Sequence, residues 1–401
     1  MSASFPLAKL TFLIAILTAV GQMTQTMYVP SIGHMAGEFL VSASSLQAVM
    51  ACYLIPYGLS QFAYGTLSDR LGRKPIIIVG LLIYILGTLV ALFAHQFEWF
   101  LAGSFIQGLG IGCGGAMSRT LTRDCFEGAE LHRANSLISM CVIFSPLMAP
   151  VLGGYLTEAF GWRSSYLFLA LFGIAVVITM MTSMMETLPK EKRKFEPVAK
   201  SYKHVLSDRR FQGFLICLVA TFAGVGVFEA AAGVLLGGVL ALPATTVSFL
   251  FILPIPGYLV GAGLSSYIAQ RRSERRALNV GLVSIFIGSA VVLIPGLFGV
   301  TTALTLIGGA TIYFLGAGIL FPAATTGAIA PFPYHAGTAG ATLGGMQNLG
   351  AGIATLLASL FPAHNQMPLG VLMMAMSIVA MLGLLWVHRA HDHSNEMPQV
   401  I

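Results

Sequence analysis

The sequence predicts an all-α membrane protein whose chain crosses the bilayer twelve times in two bundles of six helices. Three observations support this fold class: the composition, the spacing of apolar runs and the distribution of positive charge. The 401 residues are 56% hydrophobic and only 9% charged, whereas about 25% of the residues in a soluble domain are charged. A soluble fold could not bury this much apolar surface, so we expect lipid to surround most of the chain.

Apolar runs long enough to cross a bilayer as helices alternate with short polar segments. The polar stretch 186–210 divides the runs into two sets of six. This predicts an N-terminal bundle over 1–185, a basic cytoplasmic linker over 186–210, and a C-terminal bundle with a short cytoplasmic tail over 211–401. The predicted spans lie at about 10–30, 44–66, 75–94, 98–119, 134–157, 163–184, 211–237, 244–268, 277–297, 301–325, 335–360 and 367–388.

On this map nearly every Lys and Arg falls at the end of the bundles that holds both termini, and Arg163 alone falls at the other end. Cytoplasmic loops carry an excess of these residues. We therefore expect both termini in the cytoplasm. The net charge of +6 is scattered over short loops, which argues against a nucleic-acid partner. The basic linker is either solvated or lies on anionic lipid.

The loop after the second span, residues 65–75, reads Gly-Thr-Leu-Ser-Asp-Arg-Leu-Gly-Arg-Lys-Pro. A glycine at the end of a span, here Gly65, lets a neighbouring helix approach closely, and Gly72 permits the tight reversal of a short loop. Asp69 can accept hydrogen bonds from the exposed amides of a helix N-terminus. The cations that can pair with carboxylates or lipid phosphates are Arg70, Arg73 and Lys74.

The order of this loop resembles the G-x-L-a-D-r-x-G-r-k-x signature of the major facilitator superfamily. The resemblance implies the major facilitator fold, in which two pseudo-symmetric bundles rock about a central site. It also implies that the loop is a cytoplasmic gate that holds the outward-open state, with Arg119 or Arg123 as partners of Asp69. The alternative is that the loop only sets the topology.

The fifth span contains Pro146, Pro150, Gly153 and Gly154. Prolines remove backbone donors and bend a helix, and glycines let it pack closely on a neighbour. The P-x-x-G-G ending is similar to a signature of drug:proton antiporters in the superfamily, although Ala149 replaces the glycine that commonly precedes the second proline.

The first span carries Gln22, Gln25, Tyr28 and Pro30, in an order that resembles Bcr/CflA-type drug transporters. Further short matches are similar to the multidrug resistance protein D type, at 119–124, 228–230, 251–256, 331–333 and 337–341. The resemblance implies proton-driven export of hydrophobic, often aromatic compounds. One departure is Ser104, which stands where antiporters of the superfamily usually carry an arginine, and Arg119 in the same span is the candidate replacement.

Glu229 is the one carboxylate that falls well inside a predicted span. A charge at that depth is costly unless it is paired, hydrated or neutralised, and withdrawal from water favours the neutral form of a carboxyl group. Glu229 is therefore the predicted proton carrier and could attract a cationic compound. The runners-up are Asp69 and Asp124. The alternative is that Glu229 only joins two helices through a hydrogen bond.

Polar and aromatic residues at helical spacing predict a cavity for flat, apolar, partly charged ligands. The alternative for each of them is helix–helix contact. The predicted lining is Gln22, Gln25, Tyr53, Tyr57, Gln61, Phe228, Phe249, Phe251, Gln347 and Asn348.

The sequence thus favours a monomeric multidrug antiporter whose partners are hydrophobic small molecules, protons and the lipid bilayer. The alternative is a proton-coupled uptake symporter for a small metabolite. Motifs of an enzyme, a channel, a metal site or a cofactor site are not found in the sequence, so we expect neither catalysis nor a bound cofactor.

Overall fold

The computed structural model describes residues 7–126, 128–189, 193, 199–332 and 336–396, and the regular structure within these ranges is helical throughout. The α-helices of the first half are α1 (Leu7–Thr26), α2 (Ile32–Phe39), α3 (Gln47–Leu71), α4 (Arg73–Leu92), α5 (Phe97–Cys125), α6 (Gly128–Phe160) and α7 (Arg163–Ser183). Those that follow are α8 (Ala199–Ser207), α9 (Arg209–Gly233), α10 (Ala244–Ile252), α11 (Pro254–Arg271), α12 (Glu274–Leu297), α13 (Ala303–Ile329), α14 (Ala336–Ser359) and α15 (Met367–Glu396).

Nine helical segments in the described part of the chain are long and apolar enough to cross a membrane. Two of them join neighbouring α-helices, α1 with α2 and α10 with α11, and a third joins α9 to a π-helical turn at Val234–Val239. Three further helices, α3, α6 and α14, have 25, 33 and 24 residues and lie where the sequence predicts the second, fifth and eleventh spans. The predicted order of helices is therefore observed, while the count of twelve crossings stays a prediction.

Prolines and one π-helical turn mark irregular points in several of the helical segments. Pro254 opens α11 directly after α10, within one membrane-length segment. Two prolines, Pro146 and Pro150, lie inside α6. A π-helical turn at Val234–Val239 follows α9, and such turns are frequent at functional sites. These interruptions lie in the helices that surround the centre of the molecule.

The two halves repeat one packing arrangement. In the first bundle α5 packs against α3 and α4, and in the second α13 packs against α11 and α12. The helices are held closely at glycines; a Cβ on Gly80 of α4, for example, would meet the backbone oxygen of Gly110 of α5 at 2.8 Å. This repetition is the pseudo-symmetry expected of two related bundles.

Three helix pairs carry the main contact between the bundles: α3 with α14, α6 with α10, and the segment around α2 with the π-helical turn after α9. At the centre of the first pair, a Cβ on Gly58 would lie 2.6 Å from the Gly345 oxygen and 2.7 Å from the Leu349 nitrogen. The two backbones therefore touch at this point. The remaining interbundle space becomes the central cavity described below.

Part of the linker forms α8, which packs against α9 and α14. Its Tyr202 ring stands edge-on to Phe62 of α3, with 5.9 Å between centroids, so α8 touches both bundles. Burial and the nearby Asp69 carboxylate raise the pKa of Tyr202. Residues 190–192 and 194–198 of the linker, and 397–401 of the tail, lie outside the described residues, and the predicted domain boundaries remain predictions.

Candidate functional site

A cavity of about 190 Å³ lies between the bundles. Its lining consists of aromatic and aliphatic side chains with three polar residues other than tyrosine. Six of the predicted site residues line it, namely Gln22, Pro146, Phe228, Glu229, Phe251 and Gln347. The other lining residues are Phe222, Val225, Ile255, Tyr258, Phe314 and Phe321.

The aromatic lining forms two groups of touching rings, all from the second bundle. In the first group, Phe228 stacks on Phe251 with 6.2 Å between centroids and meets Phe314 edge-on at 5.6 Å. In the second, Phe321 lies 6.1 Å from both Phe222 and Tyr258. Rings that hold each other in place present a preformed apolar surface to a ligand.

Glu229 is half-buried on α9 and is the carboxylate of the cavity lining. Its Oε2 accepts a hydrogen bond from Nε2 of Gln25, which is on α1, at 2.6 Å. Gln25 is 5% exposed and lies behind the lining rather than in it. The structure thus brings the predicted proton carrier, two glutamines and the aromatic groups together.

Three predicted lining residues on α3 instead pack inside the first bundle. The hydroxyl of Tyr53 donates to the Gly21 oxygen of α1 at 2.8 Å, and the ring of Tyr57 lies 5.7 Å from that of Tyr53. The amide of Gln61 lies against Gly115 of α5. Here our prediction of a cavity lining is wrong, and the alternative, helix–helix contact, describes how all three residues pack.

Two more predicted lining residues lie off the cavity. Phe249 is 60% exposed, on the opposite face of α10 from Phe251, so its assignment to the lining is wrong. Asn348 is half-buried and donates to the Gly344 oxygen of its own helix at 3.1 Å. One step along a helix turns a side chain by about 100 degrees, so neighbours of a lining residue face elsewhere.

The loop between α3 and α4 is organised by Arg73, which is 6% exposed. Its guanidinium donates to Asp69 at 2.5 Å, to Asp124 of α5 at 2.9 Å and to the Ser68 hydroxyl at 2.7 Å. A buried arginine needs such acceptors. The arrangement joins three helices of one bundle, and the exposed Arg70 is outside it.

The carboxylate at the N-terminus of α4 belongs to Glu186, a residue that our sequence analysis did not identify. Its two oxygens accept from the backbone nitrogens of Arg73 at 2.9 Å and Lys74 at 3.3 Å, the first residues of α4. The ammonium of Lys74 in turn donates to two backbone oxygens at the end of α7. The expectation that Asp69 serves this helix end is therefore wrong, because Arg73 holds Asp69.

The two glycines of the loop behave differently. Gly72 has φ of +106°, and a Cβ there would collide with Glu186, so glycine is required for conformation and for space. A Cβ on Gly65 would meet nothing within 4 Å, so the predicted close helix approach at Gly65 is wrong for this arrangement of helices. The side chains of Arg119 and Arg123 lie outside the described part of the chain.

The proline–glycine motif of α6 faces both bundles. Pro146 lines the cavity, and the Pro150 oxygen accepts from the Ser248 hydroxyl of α10 at 2.7 Å. A Cβ on Gly153 would collide with the Met27 oxygen, and one on Gly154 with Ser248. Gly153 thus contacts the turn after α1 of its own bundle, and Gly154 contacts the opposite bundle.

Ser104, at the place of the missing arginine, is 1% exposed and donates to the Phe100 oxygen of its own helix at 3.0 Å. Three residues later, Gln107 donates to the Thr88 hydroxyl of α4 at 3.0 Å. This region is filled by uncharged hydrogen bonds within the first bundle. It adds no charge to the cavity.

Sequence reasoning missed four lining aromatics, Phe222, Tyr258, Phe314 and Phe321. A signal was present for one of them, because Phe222 precedes Glu229 by two helical turns and shares its face. For the other three, the sequence offers only rings in apolar helices. Their common surface depends on how α13 packs against α9 and how α11 packs against α13.

The model of the Major Facilitator Superfamily matches residues 14–355. The chain belongs to this superfamily. Its members are transporters, and we therefore describe the protein as a transporter and not an enzyme. The resemblance drawn from the loop and helix motifs is confirmed.

Similar proteins place the chain more finely within the Major Facilitator Superfamily. It is 42% identical over 374 residues to Multidrug resistance protein D of Escherichia coli K12, covering 93% of this chain and 94% of that protein. It is 28% identical to Multidrug resistance protein MdtL of Escherichia coli O139:H28, covering 90% and 91%. A bacterial homologue of the human lysosomal transporter Spinster shares the fold with a TM-score of 0.73 and 14% identity, covering 96% and 97%.

Proposed function

We propose that the protein is a proton-coupled multidrug efflux antiporter that works by alternating access. It exports hydrophobic or amphipathic compounds, often aromatic or cationic, in exchange for protons. The observation that carries this proposal is the position of Glu229, a carboxylate in the wall of an otherwise aromatic and aliphatic cavity between two pseudo-symmetric bundles. Relatives named for multidrug resistance support the same function.

The cavity chemistry suits such compounds. Aromatic rings from Phe228, Phe251 and Phe321 offer stacking surfaces without strict geometric demands. A carboxylate among rings attracts a cation through both its charge and the ring faces. Gln22 and Gln347 supply donors and acceptors that orient a polar tip. Few fixed hydrogen bonds and much apolar surface favour a broad substrate range over a narrow one.

Glu229 serves as the proton site in this proposal. In a low-dielectric wall the carboxyl group alternates between a protonated form and an ionised form that binds a cation. The runners-up are less suited, because Asp69 and Asp124 both accept from Arg73. Neither residue lines the cavity, so in this proposal both belong to the ion-pair cluster around Arg73 rather than to the proton pathway.

The gate at the end that holds the termini consists of Gly65, Asp69, Arg70, Gly72, Arg73, Arg119 and Arg123 in this proposal. At the opposite end, the proline–glycine motif of α6 closes the bundles against α10. We place the protein as a monomer in the inner membrane of a bacterium, because the relatives named above are bacterial. The charge distribution supports a cytoplasmic position for both termini.

An uptake symporter is not favoured. Porters for sugars or organic anions need dense hydrogen-bond donors or cations at the site, and the cavity lining contains no Lys or Arg in the described part of the chain. The relatives above are also named for drug resistance rather than uptake.

Transport by purified protein in liposomes tests the proposal. We expect the aromatic cation ethidium to accumulate against its gradient only when a pH gradient is imposed, and each pulse of ethidium to move protons the opposite way. Glu229→Gln should abolish both effects, because the amide cannot exchange a proton. Equal ethidium accumulation with the pH gradient collapsed would contradict the proposal.

A further inference from the structure

The hydrogen bond between Gln25 and Glu229 joins the two bundles. Gln25 lies on α1 of the first and Glu229 on α9 of the second, and their side-chain atoms are 2.6 Å apart. One residue of this pair lines the cavity and the other lies behind the lining. Because the bond crosses between bundles, a change of charge on Glu229 acts directly on the contact between them.

The same two helical segments continue in contact at a spacing of four residues. Four positions beyond the bonded pair, a Cβ on Gly233 would meet the Val29 oxygen at 2.5 Å; four positions further, a Cβ on Gly33 would meet the Gly237 oxygen at 3.3 Å. We call these three pairs the interbundle seam. Two of the three pairs are backbone contacts at glycine. The Gln25–Glu229 pair is the one with a side-chain hydrogen bond, and it lies at the end of the seam next to the cavity.

Among the described residues, Gln25 is the observed hydrogen-bond donor to Glu229. Tyr28, in the turn after α1, lies near Glu229, and Cys52 of α3 lies near Tyr28. From α11, Tyr258 faces the same cavity. These groups are uncharged at neutral pH. Within the described residues the lining contains no His, Lys or Arg.

An ionised carboxylate accepts a hydrogen bond roughly twice as strongly as a neutral group. Ionised Glu229 therefore holds Gln25 firmly and keeps the seam closed. A proton on Glu229 removes the charge, and a cationic compound competes with Gln25 for the same oxygens. Either ligand weakens the only side-chain hydrogen bond of the seam, so that the two backbone contacts at glycine alone hold it.

We propose that Gln25 is a positioning residue that locks the empty, ionised transporter with the seam closed and releases it when a proton or a cationic compound occupies Glu229. This inference rests on the proposed function. Exchange is obligatory only if the empty transporter does not change its access, since otherwise a compound can cross without a proton. Gln25 would thus prevent uncoupled movement rather than bind substrate.

The first test compares Gln25→Met, which keeps side-chain length but removes the donor, with Thr26→Val, whose hydroxyl donates only to Gln22 of its own helix. In liposomes we expect Gln25→Met to carry ethidium down the ethidium gradient without a matching flow of protons. The number of protons moved per ethidium should fall about tenfold, because a hydrogen bond to a charged group contributes enough free energy for a factor of that size. Thr26→Val should keep the wild-type ratio. A wild-type ratio in Gln25→Met would overturn the inference, whereas absence of driven transport in the wild type would overturn the proposed function.

The second test does not depend on transport. Spin labels at Leu40 and Leu304, 90% and 83% exposed, report the separation of the bundles at the seam end through pulsed electron paramagnetic resonance. In the wild type at high pH we expect short distances between the two spin labels. In Gln25→Met at the same pH, the fraction of molecules with a long distance between the labels should be about tenfold larger. Glu229→Gln should show the larger population at every pH. Identical distributions in the wild type and Gln25→Met would overturn the inference even if no transported compound were found.

Discussion

Ser248 of the second bundle donates its hydroxyl to the backbone oxygen of Pro150 of the first bundle, with 2.7 Å between the two atoms. Close by, Glu158 of α6 accepts from the Thr245 nitrogen in the first turn of α10 at 2.9 Å. A carboxylate at a helix N-terminus is favoured by the exposed amides and by the helix dipole. These two bonds hold α6 and α10 together at the end opposite the termini.

Gly154→Ala should weaken this closure. A Cβ at residue 154 collides with the Ser248 hydroxyl and approaches the Ala244 oxygen at 2.9 Å, so α6 and α10 must separate. We expect cysteines placed along the α6–α10 contact to become more accessible to a water-soluble maleimide, and transport to slow several-fold. Gly263→Ala is the matched control, because a Cβ there meets nothing within 4 Å. Equal accessibility in both variants would show that the contact does not close this end.

Arg73→Ala should destabilise the protein more than any other single change in the loop after α3. It leaves Asp69 and Asp124 without their cation. Because these carboxylates are 42% and 22% exposed, we expect a loss of about 1–2 kcal/mol. The measurement is the free energy of unfolding in detergent. Arg70→Ala should change it little, since Arg70 is exposed. A similar loss in both variants would mean that the ion pairs of Arg73 contribute nothing specific.

Glu186→Ala should lower stability by about 1 kcal/mol, the usual effect of removing a helix cap. The backbone nitrogens of Arg73 and Lys74 then lose their acceptor. Thermal unfolding in detergent measures the change. Glu274→Ala is a useful control, because Glu274 is in the first turn of α12 where Ser273 supplies the cap. Glu274→Ala removes only the interaction with the helix dipole, so we expect it to lower the unfolding temperature less than Glu186→Ala does.

Phe251→Ala should weaken ethidium binding about tenfold or more, because a buried aromatic ring contributes roughly 1.5–3 kcal/mol of apolar contact. Phe249→Ala, two residues away on the same helix and 60% exposed, should leave binding unchanged. Fluorescence titration of the purified protein measures both. If the two variants bind alike, the aromatic cavity is not where ethidium binds.

Much of the fold could be predicted because bilayer thickness and hydropathy act on each span separately. The order of the helices, the midpoint linker and the superfamily follow from local patterns such as residues 65–75 and the motif beginning at Pro146. Glu229 was also predictable, since an acidic residue inside an apolar helix stands out without knowledge of its neighbours.

The partners of these residues were not predictable in the same way. Arg73 rather than a helix end holds Asp69, and Glu186, 113 residues away from Arg73, caps α4. Phe249 and Phe251 are equivalent in sequence, yet one faces outward and the other lines the cavity.

The sequence by itself determined that this protein is a helical membrane transporter with an acidic residue at depth, because both properties depend on residue type and position along the chain. Only the tertiary structure decided that Gln25 bonds to Glu229, that rings from four helices form the cavity wall, and that glycines bring the bundles into contact. These features arise where helices distant in sequence meet, and a meeting of that kind depends on packing geometry that no single helix contains.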